Sequence, residues 1–326
     1  MPKKIKAAAL AKGVFKRVAD PRHLYHAVKL HRGRKESKRV RDDAELALIG
    51  RILPGAFLHY GYFDDPSRQP EDISLNDIVR AQARYAQVLI AQMQDRSAPV
   101  LDVGCGMGGL LPVLKTNGFS PVALTPDRTQ IQYVRNTYPD VPTLHLKFEE
   151  LAAPDHAEHL GRYGTVVTSE SLQYLNLDKS LPLIASLLKP GGRWVACDYF
   201  RTHAAQPTPG SNGQAAKPGR VEKSGHHWDD FHARLATGGW RVAHQADITP
   251  NVLPTLRCLY MWGSRFGLPV LQFAFGKLRR KQPAIHYLVE DALQELHAAL
   301  ADNLEVVNPD TFARNKKYAL LVMERS

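Results

Sequence analysis

The part of this sequence best suited to chemistry is an acid followed by four glycines in six positions, Asp102-Val103-Gly104-Cys105-Gly106-Met107-Gly108-Gly109. Glycine tolerates positive φ and lets a ligand approach the backbone closely. The apolar run before it reads as a buried strand and the residues after it as a helix, so the turn offers unpaired N–H groups and a positive dipole end. Two patterns fit. Gly104, Gly106 and Gly109 satisfy the dinucleotide pattern G-x-G-x-x-G, and Asp102, Gly104, Gly106 and Gly108 satisfy D-x-G-x-G-x-G. The dinucleotide pattern expects an acid at the end of the second strand, for the ribose. That strand instead runs into Thr125-Pro126, with Asp127 beyond the proline at a helix start, which argues against a nicotinamide oxidoreductase. The second chemical candidate is Glu170, which follows the strand-like run Thr165-Val166-Val167-Thr168-Ser169. Ligands of open parallel sheets bind beyond the carboxyl ends of strands, where Glu170 falls. A third is the aromatic segment Phe57-Leu58-His59-Tyr60-Gly61-Tyr62-Phe63, whose density around a glycine suggests a flap over a pocket. Tyrosine faces attract cations by about 0.5–2 kcal/mol, so Tyr60 and Tyr62 are candidates to face a positive centre.

The stretch from Val100 to Gly109 resembles motif I of the class I S-adenosylmethionine (SAM) methyltransferases, and later landmarks extend the resemblance over about residues 55–326. It implies a Rossmann-like, seven-stranded, mostly parallel sheet, with SAM as cofactor. Its methionine end would meet Gly104, Cys105, Gly106 and Gly108, and its amino group would meet Asp102. His59 to Tyr62 resembles the H-x-G-[YFW] segment that covers the SAM site in methyltransferases of sterols, tocopherols, prenyl chains and unsaturated fatty acyl chains. Leu124 to Gln130 resembles the L-T-x-S-x-x-Q turn of the cyclopropane synthases, which makes Thr125 and Gln130 ribose candidates. The resemblance puts Phe148 and Glu149 beside adenine and Ser169 at the cofactor. In the synthases the segment after the fourth strand reads S-I-E-x-x-E-H. Here Glu170 keeps the first acid, but Gln173 and Tyr174 replace the two residues that help hold bicarbonate, which puts cyclopropane formation in doubt. Leu188-Lys189-Pro190-Gly191-Gly192 is another landmark of the family, read as structural.

The elements that must position these residues follow from periodicity. A helix is expected over about 75–93, with Ile78, Ala81, Tyr85, Leu89 and Met93 on one stripe. Strands and helices then alternate, which signals a parallel sheet covered on both faces. Strands are expected over 121–124, 143–146 and 165–169, then up to Phe200, from Gly239 to Thr249, and over 317–324, the last of which the family resemblance implies to be antiparallel to its neighbours. Residues 202–225 read as a long loop. The stretch of about 250–312 reads as an apolar helical cap that would wall a greasy pocket or form a dimer contact, and Arg279-Arg280-Lys281 could meet a phosphate or a membrane headgroup. His226 and His227 lack the spacing of two metal ligands on one helix face, so no metal is expected and pocket lining is the better reading.

The chain has 326 residues and a net charge of +11, and its first 41 residues carry 14 Lys+Arg against Asp20 and Glu36. That arm alone holds +12, and the remainder is slightly acidic. With 1–45 as a basic arm and 46–326 as the methyltransferase domain, the arm suits an anionic membrane surface better than nucleic acid, since few aromatics interleave its charges. Three cysteines without metal or disulfide spacing suit a reducing compartment, and no apolar run approaches a membrane span, so a cytoplasmic location is expected, with peripheral association at the inner membrane face. The function expected is methyl transfer to a lipophilic isoprenoid, sterol-like or fatty-acyl acceptor. Alkene C-methylation is slightly preferred, with Glu170 as base and Tyr60 and Tyr62 facing the cation. The alternatives are O- or N-methylation of a natural-product or quinone-type acceptor, with Glu170 or His59 as base, and a non-catalytic SAM-binding partner at a membrane.

Overall fold

The computed structural model describes residues 22, 25, 56–202 and 224–326. Apart from Arg22 and Tyr25, the expectations for the basic arm lie outside the described residues, as do those for 203–223.

Seven strands form one sheet in the order β3-β2-β1-β4-β5-β7-β6. They are β1 (Val100–Val103), β2 (Pro121–Leu124), β3 (Thr143–Leu144), β4 (Tyr163–Ser169), β5 (Leu188–Arg201), β6 (Trp240–Asp247) and β7 (Lys316–Arg325). Only β7 runs against its neighbours, pairing antiparallel with both β5 and β6. The helices are α1 (Leu75–Ile90), α2 (Leu110–Thr116), α3 (Arg128–Thr137), α4 (Leu177–Leu187), α5 (Trp228–Thr237), α6 (Thr249–Trp262), α7 (Leu268–Lys281), α8 (Pro283–Val306) and α9 (Pro309–Asn315).

The central strands are apolar at successive positions because both faces are covered. Leu101, Val166, Trp194, Ala196 and Leu321 join one core with α4 and α5, while Val100, Val167, Val195, Cys197 and Leu320 join another with α1, α2, α6 and α9. Neighbouring residues thus enter opposite cores, as the two-residue period of a strand requires. Trp194 is fully buried and its Nε1 donates to Thr168 Oγ1 at 2.9 Å, so its one polar atom is satisfied. At the start of α1 Ser74 and Asp77 form a capping box.

Three boundaries differ from the sequence reading. Strand β3 is only two residues long, because the edge of the sheet offers it one partner. Strand β5 begins before the Lys-Pro-Gly-Gly turn, and a register shift between Tyr163 and Thr165 absorbs that turn. The apolar insertion is not one cap. Residues 262–304, which hold α7 and most of α8, fall in a different compact unit from the sheet, whereas α6 and α9 fall in the unit that holds it. Among the described residues no helix is long and apolar enough to cross a membrane.

Gly104, between β1 and α2, has φ of +77°, and a Cβ there would lie 2.5 Å from Ser171 Cβ. Ser171 is itself tied to β1 by its Oγ, which donates to Val103 O at 2.5 Å. Gly104→Ala should therefore lower unfolding stability by about 1–3 kcal/mol, through both the strained φ and the clash, as read from urea melts.

Candidate functional site

The carboxyl ends of β1, β4 and β5 converge with residues 56–63 and with Tyr318 of β7. Glu170 follows β4 at once and is the one described non-glycine residue with positive φ, at +50°. A left-handed glutamate is uncommon and costs about 1–3 kcal/mol, so its surroundings must hold it in place. They do so through Oε1, which accepts from the Tyr318 hydroxyl at 2.6 Å and from the Tyr60 backbone N–H at 3.0 Å. The chain continues from Tyr318 OH to Tyr85 OH at 3.0 Å and from there to Ser169 Oγ at 3.1 Å. Burial raises the Glu170 carboxyl to about 7, against the downward pull of these two hydrogen bonds. Beside it, Asp198 accepts from the backbone N–H groups of Tyr199 and Gln173, and burial together with Glu170 raises it to about 8.

The aromatic segment lies over the glycine turn, as expected. A Cβ on Gly109 would sit 2.6 Å from Phe57 Cδ1 and 2.8 Å from Ala56 C, and Leu58 is the nearest neighbour of Gly106. Gln82 of α1 pins the segment by donating to His59 O at 2.7 Å. His59 stacks on Tyr85 with ring centroids 4.1 Å apart, and its Nδ1 bonds Tyr60 O at 2.8 Å. A carbonyl only accepts, so Nδ1 carries the hydrogen and the buried, unpartnered Nε2 carries the lone pair. Burial lowers His59 to about 4, which keeps it neutral and makes it a weaker base than Glu170.

The two tyrosines of the segment part company. Tyr60 packs edge-on against Phe312 at 6.3 Å and tilted against Tyr318 at 6.2 Å, close to Glu170. Tyr62 has the guanidinium of Arg84 at 5.9 Å from its ring, and Arg84 also pairs with Asp64 at 3.1 Å. A cation is thus already on Tyr62, because Gly61 seats this part of the segment on α1 at Ala81.

The residues expected at the cofactor line the ends of β1 to β4. Asp102 is buried with Oδ2 unpartnered, and desolvation raises it to about 7. Cys105 is buried beside it. Thr125 Oγ1 donates to Gln130 Oε1 at 2.8 Å, while Asp127 caps α3. Phe148 is 2% exposed and packs in the core with Leu151, so its ring offers little open face. Glu149 accepts from the backbone N–H of Asn176 at 3.2 Å. His226 and His227 line a cleft of about 250 Å³ with Asn176, Arg201, Asp230 and Arg234, in keeping with pocket lining. Metal-ligand chemistry gathers, among the described residues, at His156, Glu158 and His159, just before β4 and so at the opposite end of that strand from Glu170.

Tyr85, Tyr318 and Asp198, which the structure gathers around Glu170, are not among the site residues expected from the sequence. Tyr85 sat on the apolar stripe of α1, Tyr318 in an apolar last strand and Asp198 at a strand end, so each read as framework. Only a buried acid closing a strand was a usable signal, and it pointed to Asp198.

This sheet order, with its single reversed strand and a glycine turn after β1, defines a class I methyltransferase. A family model described as a methyltransferase domain matches residues 78–268, and the chain belongs to that family. An O-methyltransferase, cnsE, of Penicillium expansum is 28% identical over 252 residues, which are 76% of this chain and 84% of that protein. An O-methyltransferase of Pyrenophora dematioidea is 29% identical over 159 residues, 48% of this chain and 58% of that one. Among solved structures, geranyl diphosphate C-methyltransferase from Streptomyces coelicolor A3(2), crystallised with Mg2+, geranyl-S-thiolodiphosphate and S-adenosyl-L-homocysteine, shares the fold. Its TM-score is 0.57 at 15% identity, over 86% of this chain and 92% of that one. The protein is therefore a SAM-dependent methyltransferase with a Rossmann-like sheet. The donor set fits the cofactor, since a buried carboxylate with one unpartnered oxygen at a glycine turn is short of the cation that the SAM ammonium supplies.

Asp102, Glu170 and Asp198 ionise near their ordinary values of 3.8, 4.5 and 3.8 when unfolded, and near 7, 7 and 8 when folded. Between pH about 4.5 and 7 the native protein holds protons that the unfolded chain has released. Stability without SAM should fall across that window as pH rises. Chemical denaturation at a series of pH values measures the slope, and a flat profile would mean these carboxyls are ionised throughout.

Proposed function

We propose that the chain is an O-methyltransferase of a lipophilic small molecule, with Glu170 as general base. The observation that carries this reading is the Glu170 carboxyl itself. It lies at the carboxyl end of β4, takes both its hydrogen bonds from the described residues on Oε1, and has a proton affinity near neutrality. A base of that strength suits removal of a hydroxyl proton at physiological pH.

Bound SAM contributes an electrophilic methyl on a sulfonium. Asp102 would hold the ammonium end, and the backbone of Gly104, Cys105, Gly106 and Gly108 would receive the carboxylate end, with Thr125 and Gln130 at the ribose and Glu149 towards adenine. The acceptor hydroxyl would place its proton on Glu170 Oε2 as its oxygen takes the methyl group, the methyl–sulfur bond would break with its electron pair left on the neutral thioether, and Glu170 would later release that proton to water. Residues 56–63 would exclude water over the turn, which strengthens alignment and electrostatics within the site. The rings of Tyr60 and Tyr199, each packed edge to face with Phe312 at 5.9–6.3 Å, support an apolar acceptor. The names of the two fungal relatives support oxygen as the receiving atom.

C-methylation of an alkene is the second reading, favoured by the Tyr60 ring beside Glu170. It is the weaker because Tyr62 already stacks with Arg84. Mass spectrometry after incubation with methyl-labelled SAM and pooled phenolic, lipid and isoprenoid extracts separates them. A label lost on ether cleavage supports O-methylation, and one kept on carbon overturns it.

Glu170→Gln should cut turnover at least about tenfold while leaving SAM affinity within about twofold, and unchanged turnover would remove Glu170 from the chemistry. Asp102→Asn should weaken SAM binding about tenfold by calorimetry, since it removes the charge facing the ammonium. Tyr318→Phe removes a hydrogen bond that lowers the Glu170 carboxyl, so the acidic limb of the pH–rate profile should move to higher pH.

A further inference from the structure

We infer that the segment Gly263–Lys281 is a docking surface for an anionic lipid bilayer. It consists of the π-helical turn Gly263–Gly267 followed by α7. Phe266, Val270 and Phe273 stand at i, i+4 and i+7, which puts them on one stripe, and they are 62%, 64% and 65% exposed. Lys277 continues that stripe, its Nζ 5.7 Å from the centre of the Phe273 ring. The helix ends in Arg279, Arg280 and Lys281, all exposed. Tyr287 and Leu288, 78% and 76% exposed, follow just past the corner into α8.

The charges single out the occupant. Gly263–Lys281 contains Arg265, Lys277, Arg279, Arg280 and Lys281 and no acid, a balance of +5. Its helical partner α8 contains Glu290, Asp291, Glu295, Asp302 and Glu305 and no Lys or Arg. The two meet where Gln272 Nε2 lies 3.1 Å from His297 Nε2. The hairpin thus has a basic limb with exposed aromatics and an acidic limb, which orients it towards a negative surface. A stripe of phenylalanine and valine running into lysine and arginine is the pattern of a helix lying in the lipid headgroup plane, with apolar side chains entering the acyl boundary and cations at the phosphates. A second copy of the chain is the poorer occupant, because a two-fold contact through this face would set five cations against five.

The test is co-sedimentation of the full chain with vesicles of phosphatidylcholine mixed with phosphatidylserine, against phosphatidylcholine alone. Binding should require the anionic lipid and weaken with salt. The triple variant R279E/R280E/K281E and the double variant F266S/F273S should each lower partition by about tenfold or more, with circular dichroism and SAM binding unchanged, since all five side chains are exposed. Variants that partition like the wild type would overturn the assignment and move binding to another surface such as the basic arm. So would a wild type that ignores anionic vesicles. If F266S/F273S instead splits a dimer in sedimentation without changing vesicle binding, the surface belongs to a second copy and the inference fails.

Discussion

The candidate site depends on one set of hydrogen bonds, those that Glu170 Oε1 accepts from the Tyr318 hydroxyl and the Tyr60 N–H. They join three parts of the chain far apart in sequence: the flap before the first strand, the turn after the fourth and the last strand. A buried acid without partners would be neutral and free to rotate. With two donors on one oxygen, its second oxygen has a fixed direction and its proton affinity stays near neutrality instead of rising further. The same bonds compensate a left-handed backbone at Glu170, so strain and chemistry share one support.

The reversed strand makes that support available. With β7 placed between β5 and β6 and antiparallel to both, Tyr318 lies opposite Tyr199 near the carboxyl end of β5. Tyr85 enters from α1 on the same side, and its hydroxyl bridges Tyr318 to Ser169. Three hydroxyls in a core of this kind would each be a liability if unpaired, and their mutual bonds remove that cost. The flap is fixed with similar economy. Gly109 and Gly61 have no side chain because backbone or a methyl group occupies the space a Cβ would need.

The surface follows a different logic from the interior. The described residues 262–304 carry opposite charge on their two long helices and expose aromatic side chains. For an enzyme whose proposed acceptor is lipophilic, a surface that binds lipid headgroups would bring the site to the phase in which the acceptor dissolves. The basic arm, by its composition, would add to the same attraction.

By itself the sequence determined the order of strands and helices, the glycine turn with Asp102, and the position of Glu170 at a strand end, because these depend on local periodicity and on the φ that glycine alone tolerates freely. The short third strand and the early start of the fifth escaped it, since strand length at an edge and across a turn depends on the partner's hydrogen bonds rather than on propensity. Tertiary structure alone decided that Tyr85 and Tyr318 serve Glu170, and that Tyr62 serves α1 instead. It decided also that the insertion divides into a part that packs on the sheet and a separate unit. A tyrosine on an apolar stripe reads as core in any sequence, and whether its hydroxyl meets a carboxylate depends on which strand the fold reverses beside it.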